Sequence, residues 1–343
     1  MKITVLMGGT SSERDVSLAS GLRITAALRA RGHEVTALDT ALGVIEDVAG
    51  QAALEGGVKT APPSIEALAE MSRRSLSPML GTLPSVREAD VVFLALHGGQ
   101  GEDGTIQALL DLSGVRYTGS GHLSSALAMD KDLSKHLFRA AGVRTADWVM
   151  ATDWRPAPPA DEVERTLGMP VIVKPSKQGS TVGLSLVKEP GQFAAAVAEA
   201  RKHDDEVMIE RFIAGRELTV GILGGIALPV GEIIPKHEIY DYECKYTKGM
   251  ATEVFPAELA GAATAEVQRQ AQLAFGALKL GGCARIDFRM TGAGEFYCLE
   301  ANTLPGMTEL SLIPQAAAAA GIDFPDLCER IARLALNDGE DSQ

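Results

Sequence analysis

"ITVLMGGTSSERDVSLASGLRITAALRARGHEVTALD", residues 3–39, decides the fold class. Ile3 to Met7 is a short apolar run with strand character, and residues 8–12 form a glycine- and serine-rich loop. From Val16 to Ala30 the apolar residues recur at helical spacing, and Gly32 is placed to stop the helix. His33 to Leu38 is a second strand, ending at Asp39. Strand, helix and strand in this order predict a βαβ unit that opens a parallel sheet, which places the chain in the α/β class. Glu13 then falls at the carboxyl end of the first strand, the edge where open α/β sheets bind ligands. A carboxylate there would hold a substrate ammonium; equally, it is a first-turn acid favoured by the helix dipole.

At 343 residues the chain is long enough for two or three domains. Apolar residues make up 46% and charged residues 22%, ordinary for a globular protein. There is no 18-residue apolar run and no signal-peptide core, so the reading is cytoplasmic with no membrane partner. The net charge of −13, from 45 acids and 32 bases, argues against nucleic acid. A polyanion such as a nucleotide would need a local basic pocket and a metal ion. Cys244, Cys283, Cys298 and Cys328 lack metal-ligand or disulfide spacing and read as buried thiols.

Further strands are expected at 89–96, 170–174, 182–187, 207–210, 218–223, 227–234, 284–290 and 295–300. Helices are expected at 105–112, from the Ser124 cap to Ala141, and at 193–202, 263–280 and 324–336. Residues 41–85 read as irregular with helical fragments. The segment 236–252 reads as a long polar loop, and the tail 338–343 as disordered.

The densest chemistry lies in "RIDFRM" and "EFYCLEAN", joined by residues 291–294. Side chains alternate along a strand, so Arg285 and Asp287 share one face, opposite Ile286 and Phe288. Glu300 and Asn302 share a face opposite Leu299. A hairpin centred between Ala293 and Gly294 sets Asp287 opposite Glu300 and Arg285 opposite Asn302. Two carboxylates and an amide oxygen suit Mg²⁺, with Arg285 facing phosphates or an oxyanion. The alternative is a solvated polar face with a surface ion pair.

"VIVKPSKQGSTVG", residues 171–183, places Lys174 at the end of a strand before a flexible Ser/Gly loop able to close over phosphates, though it is no Walker A loop. Lys131 upstream is a second phosphate cation. Gly99, Gly101 and Gly104 match a dinucleotide fingerprint, but Glu102 and Asp103 would lie against a pyrophosphate and no acid follows at the ribose distance. The N-terminal unit with Asp39 is the better dehydrogenase lookalike, yet its loop lacks the third glycine. "YDYECKYTKG", residues 240–249, is either a mobile lid or an edge strand. Ser311 starts a helix whose amides would hold a carboxylate, or it is a plain cap.

Taken in order, "LMGGTSSERDVSL", "LALHGGQGEDGTIQ", "YTGSG", "MDKDLSK", "VIVKPSKQGSTVG", "YDYECKY", "RIDF" and "LEANTLPGMTELSLIP" resemble the ATP-grasp carboxylate–amine ligases, and within them the D-alanine–D-alanine ligase family. The resemblance implies a three-domain ATP-grasp fold: an N-terminal substrate-binding domain over 1–119, a central ATP-grasp subdomain over 120–210 and a C-terminal catalytic domain over 211–337. It implies ATP and Mg²⁺, two ions replaceable by Mn²⁺, two molecules of D-alanine, and a homodimer. Lys131 and Lys174 would touch ATP phosphates and Lys245 the transferred phosphoryl group. Glu210 and the backbone near Ile213 would hold adenine, and Glu217 the ribose. Asp287, Glu300 and Asn302 would bind the metal. Glu13, linked to Ser180 and Tyr246, would hold the first D-alanine, with His97 beside it. Ser311 and Leu312 would take the carboxylate of the second, while Arg285 and the Gly306 amide would stabilise the oxyanion.

Cys244 stands where the family's lid usually has Ala, and Arg211 where the hinge often has Lys; an exposed lid thiol would be reactive. The implied product is D-alanyl-D-alanine, a peptidoglycan precursor, formed through a D-alanyl phosphate. The first rival within the family is a D-alanine–D-lactate ligase, disfavoured by Tyr246 in the lid. Outside it stand a nicotinamide dehydrogenase and a silent nucleotide-binding module, which would lack the metal ligands.

Overall fold

The structure, a computed structural model, describes residues 1–45, 63–73, 75–247 and 249–337. The irregular reading of 46–62 and the disordered reading of 338–343 lie outside the described residues.

The opening βαβ unit forms as the sequence predicts. β1 (Lys2–Met7) pairs in parallel with β2 (Glu34–Asp39) and with β4 (Val91–Leu94). The short β3 (Gly43–Val44) closes the edge in the order β3-β2-β1-β4. α1 (Arg14–Ala30) is the crossover and buries Val16, Leu22, Ile24 and Leu28. The far end of the chain seals the same core. Ile313 and Ala317 of α11 (Leu312–Ala319) and Leu327 and Ile331 of α12 (Phe324–Asn337) pack with Ile3, Val5 and Val91. Around this sheet run α2 (Ile65–Ser72), α3 (Pro84–Arg87) and α4 (Thr105–Leu112).

A second sheet is antiparallel, in the order β5-β8-β6-β7: β5 (Trp148–Ala151), β8 (Val207–Arg211), β6 (Val171–Pro175) and β7 (Ser185–Val187). α7 (Ala160–Leu167) and α8 (Phe193–Ala200) cover it, burying Val163, Leu167, Phe193 and Ala196 with Val171 and Val173. The third sheet runs β12 (Ala251–Val254), β11 (Gly231–Pro235), β9 (Arg216–Leu223), β13 (Cys283–Met290) and β14 (Phe296–Asn302), with β10 (Ile226–Ala227) paired to β9. Against it lie α10 (Gly261–Ala277) and the pair α5 (His122–Met129) and α6 (Lys131–Ala140). Phe138 and Phe288 are fully buried in that shared core. Burying a side chain of this size contributes about 1.5–3 kcal/mol.

Three expectations need correction. The helix expected from Ser124 to Ala141 is broken at Asp130, whose extended backbone (ψ 100) starts a new helix. The Asp130 carboxylate accepts from the Leu133 amide at 3.0 Å, the usual cap chemistry. The strand expected at 227–234 is split into β10 and β11 by residues 228–230, which belong to neither strand. The segment 236–252 is not all loop. It contains α9 (Tyr242–Tyr246), capped by Asp241 through a 2.9 Å bond from the Cys244 amide, so the edge-strand reading of 240–249 fails. Cys244 is buried, as the cysteines read from the sequence. It is 2% accessible and packs with Ile233, Tyr240 and Leu312, and burial pushes its thiol up rather than toward a reactive thiolate.

The β13–β14 register is as expected where it matters: Arg285 opposes Asn302 and Asp287 opposes Glu300. Nearer the turn, Phe288 opposes Cys298, so Leu299 is an extra residue, a bulge. The bulge overturns one detail. Leu299 joins Glu300 in lining a cavity, whereas strict alternation put it on the opposite face. Phe296, Cys298 and Ala301 keep to the core.

Candidate active site

Two cavities meet between the three sheets. The first lies between the antiparallel sheet and the six-stranded sheet and is lined by Lys131, Lys174, Glu210, Ile213, Glu217, Asp287 and Glu300. The second faces the N-terminal sheet and is lined by Glu13, His97, Asn302, Gly306 and Ser311. Gly179, Ser180, Tyr240, Lys245, Arg285 and Leu312 line both and mark the junction. Every site residue proposed from the sequence borders one cavity or the other except Tyr246, whose side chain lies outside the described residues.

Charge in the first cavity is arranged in buried pairs. Glu210 accepts from Lys174 Nζ at 2.7 Å and, on its other oxygen, from Lys135 Nζ. Burial opposes the Glu210 charge, but the two lysines overcome it and hold its carboxyl at about 2. Lys135 was not singled out from the sequence, although it follows Lys131 by one helical turn. Burial lowers its own pKa, and its ammonium also sits over the Trp148 ring at 4.8 Å. Lys131 donates to the Gln178 carbonyl at 2.7 Å and lies 3.3 Å from Glu300. Against burial, Lys131, Lys245, Lys174 and Arg285 hold Glu300 at about 2. Arg289, a second residue missed, donates to Glu217 at 2.9 Å and to the Ile213 carbonyl at 3.0 Å. It continues the alternation of Arg285 and Asp287, so the signal was present. Glu217 itself is raised by burial.

At the junction Arg285 grips Asp287 on its own strand with two nitrogens, each at 2.9 Å from a different oxygen. Asn302 Nδ2 and Thr219 Oγ1 complete the Asp287 shell at 3.0 and 2.7 Å. Asp287 raises the Arg285 pKa despite burial, so the guanidinium is always charged.

In the second cavity Ser180 donates its hydroxyl to Glu13 Oε1. Glu13 begins α1 without capping it, so its side chain is free to aim at the cavity. Two glycines make room for it: a Cβ at Gly98 or Gly179 would lie 2.8 or 2.7 Å from Glu13 Oε2. Ser180 and Thr181 hold φ values of 49 and 59, the left-handed region that non-glycine residues seldom adopt. His97 is buried and its pKa lowered by burial; Nδ1 donates to the Leu304 carbonyl at 2.8 Å, and Nε2 faces Ser20 Oγ at 3.3 Å. Ser20 also accepts from the Met307 amide at 3.1 Å, and Arg23 donates to the Met307 and Thr308 carbonyls at 2.9 and 2.8 Å. Residues of α1 therefore fix the loop that carries Gly306, a role no sequence pattern announced. Ser311 precedes α11 but does not cap it. Its hydroxyl accepts from the Thr308 amide at 2.9 Å, and a Cβ on Gly306 would come within 2.7 Å of it.

The dinucleotide lookalikes are both spent internally. Glu102 closes its own glycine loop by accepting from the Gly98 amide at 3.0 Å. Asp39 forms a buried two-point pair with Arg14, one contact being 3.0 Å.

Among known proteins, a family model described as "D-ala D-ala ligase N-terminus" matches residues 2–120, and one described as "D-ala D-ala ligase C-terminus" matches residues 137–333. The chain is 43% identical over 335 residues to the D-alanine–D-alanine ligase of Geotalea uraniireducens (strain Rf4), covering 97% of this chain and 95% of that one. It is 40% identical to the enzyme of the same name from Pediococcus pentosaceus, covering 96% of each. Among solved structures, the D-alanine–D-alanine ligase of Coxiella burnetii superposes with a TM-score of 0.80 at 30% identity, covering 99% and 95%. That of Bacillus anthracis complexed with ATP gives 0.75 at 30% identity, covering 100% and 99%.

Proposed function

The chain belongs to the D-alanine–D-alanine ligase family, with the ATP-grasp fold, and from that membership we infer that it joins two molecules of D-alanine at the expense of ATP. The observation that carries this reading at the level of chemistry is the junction. A cavity of paired lysines and acids opens into a cavity built around a carboxylate, with Lys245 and Arg285 bordering both.

In this reading Glu13 holds the ammonium of the first D-alanine, oriented by Ser180. Its carboxylate then points to the junction. Lys131, Lys174 and Lys245 hold the ATP phosphates, Glu210 and the Ile213 backbone the adenine, and Glu217 the ribose. The γ-phosphoryl passes to the carboxylate, one P–O bond breaking as another forms, and ADP is left. Such transfers depend on positioning and on opposing charge, which the buried lysines supply. Asp287 of β13 and Glu300 and Asn302 of β14 offer hard oxygen donors across the strand pair, with Glu300 held ionised, and this set fits Mg²⁺ or Mn²⁺. Bound there, the metal would neutralise phosphate charge.

Ser311 and Leu312 hold the carboxylate of the second D-alanine, and His97 supports the loop between the two subsites. The amine attacks the acyl carbonyl, a C–N bond forms and phosphate departs. Arg285 and the Gly306 amide face the oxygen that gains charge. The segment 236–252, bearing Tyr240 and Lys245, closes over the junction and keeps water from the acyl phosphate. The dipeptide serves peptidoglycan synthesis; we place the enzyme in the cytoplasm as a homodimer with three domains as drawn from the sequence. Phosphate release from ATP tests the reading: D-alanine is expected to stimulate it and L-alanine not. Equal rates with and without D-alanine would end the proposal.

A further inference from the structure

The segment over the junction carries a cluster that ligation does not use. A ring nitrogen of His237, a carboxylate oxygen of Asp241 and Cys244 Sγ all lie within 4.8 Å of one another. His237 Nδ1 and Asp241 Oδ2 are 2.7 Å apart, and the other Asp241 oxygen accepts from the Cys244 amide at 2.9 Å. Imidazole, carboxylate and thiolate are the donor set of borderline transition ions, and three of them around one point leave a fourth, open position. Magnesium, which takes oxygen donors, does not suit it. The cluster opens to solvent on its His237 side, whose side chain is 39% accessible, while Cys244 backs it from the interior.

We propose that His237, Asp241 and Cys244 form a second metal site, specific for zinc-like ions, that pins the segment 236–252 and thereby inhibits the enzyme. Binding replaces the thiol proton, which leaves to solvent, and the hydrogen bond between His237 and Asp241. It ties the chain before α9 to the body of α9. The next residue, Lys245, lines both cavities, so a fixed α9 holds it in one place through a cycle that needs the junction to open and close. This kinetic consequence rests on the ligase reading above; the metal site itself does not.

The test uses the full chain with no substrate, excess Mg²⁺ to occupy the oxygen donors, and Co²⁺ as the probe. One equivalent is expected to bind with a near-ultraviolet thiolate-to-cobalt band. Cys283, Cys298 and Cys328 sit in the apolar cores and, among the described residues, are grouped with no histidine or carboxylate that could hold the ion beside them. The band is expected to vanish in Cys244→Ala and, independently, in His237→Ala. No band, or a band that survives Cys244→Ala, overturns the site. Zn²⁺ is then titrated into turnover assays, where Cys244→Ala is expected to keep basal activity and resist zinc by roughly tenfold or more. A cobalt band without that resistance overturns the inhibitory role. A cobalt band in a protein that fails to ligate D-alanine leaves the site standing and overturns only the ligase reading.

Discussion

Ser180 donates its hydroxyl to Glu13, a contact that joins the loop after β6 to the first turn of α1 across 167 residues of sequence. The two groups come from different sheets, so the bond exists only when the N-terminal sheet and the antiparallel sheet are correctly docked. A hydrogen bond to a charged group is worth about 1.5–3 kcal/mol. Ser180→Ala is therefore expected to raise KM for the first D-alanine about 10- to 100-fold while leaving ATP binding near native. Steady-state kinetics with nucleotide affinity measured separately checks this. An unchanged KM would show that Glu13 needs no help from the loop.

Glu102 offers a pH signature. Burial, then the neighbouring Glu13, raise its carboxyl to about 7. Its unfolded value is near 4.5, so between these values the folded protein binds more protons than the unfolded one, and stability falls as pH rises. Below the unfolded value the effect is absent; above about 7 it is complete. Glu102→Gln removes the charge and weakens one acceptor, the long 3.4 Å contact from the Leu304 amide. The variant is expected to gain about 1–3 kcal/mol relative to the parent at pH 8 and nothing at pH 4. Urea unfolding at the two pH values decides it.

Lys135 should be a stability residue with a catalytic address. It has no accessible side-chain surface, and Glu210 is its anion. Lys135→Met leaves Glu210 with Lys174 alone in a buried place, and loss of one partner of such a pair costs about 3–5 kcal/mol. The linkage sign differs from that of Glu102. Glu210 is held at about 2 and so contributes stability above its unfolded value that is lost as pH falls toward 2. In Lys135→Met the Glu210 carboxyl is held down less, so the acid-side loss still begins near its unfolded value but is smaller and complete at a higher pH, which stability measured across the acid range would display.

What the sequence made legible followed from periodicity. The βαβ opening and the β13–β14 pairing rest on alternation and on one helical repeat, and both are local signals. The same alternation ran past Asp287 to Arg289, and helical spacing ran from Lys131 to Lys135, so those two residues were readable. The bulge at Leu299 was not, because one extra residue leaves the composition of a strand unchanged. Ser20, Arg23 and Glu102 were not readable for another reason. They act on the loop around Gly306 through contacts such as Arg23 to Met307, 284 residues apart, which no local pattern encodes. The cysteines read as buried from their lack of ligand spacing, and Cys244 is so, although only the packing of Ile233, Tyr240 and Leu312 around it shows what buries it.

Arg285 sets the sharpest test of mechanism, because it is tied to both halves of the site. It forks onto Asp287 and borders both cavities. Its charge is secured by Asp287 against burial, so it is present before any substrate arrives and requires no reorganisation during the reaction. Arg285→Ala is expected to lower ligation about 100- to 1000-fold, the range found when one preorganised oxyanion donor is lost. ATP affinity is expected to change little, since Lys131 and Lys174 remain. The variant also frees Asp287 from a cation, so Arg285→Lys is the necessary companion: it keeps a charge beside Asp287 but cannot present two nitrogens. If both variants ligate poorly and bind ATP well, the planar two-nitrogen grip is what the reaction uses. If Arg285→Lys ligates at the native rate, charge alone suffices and the directional role fails.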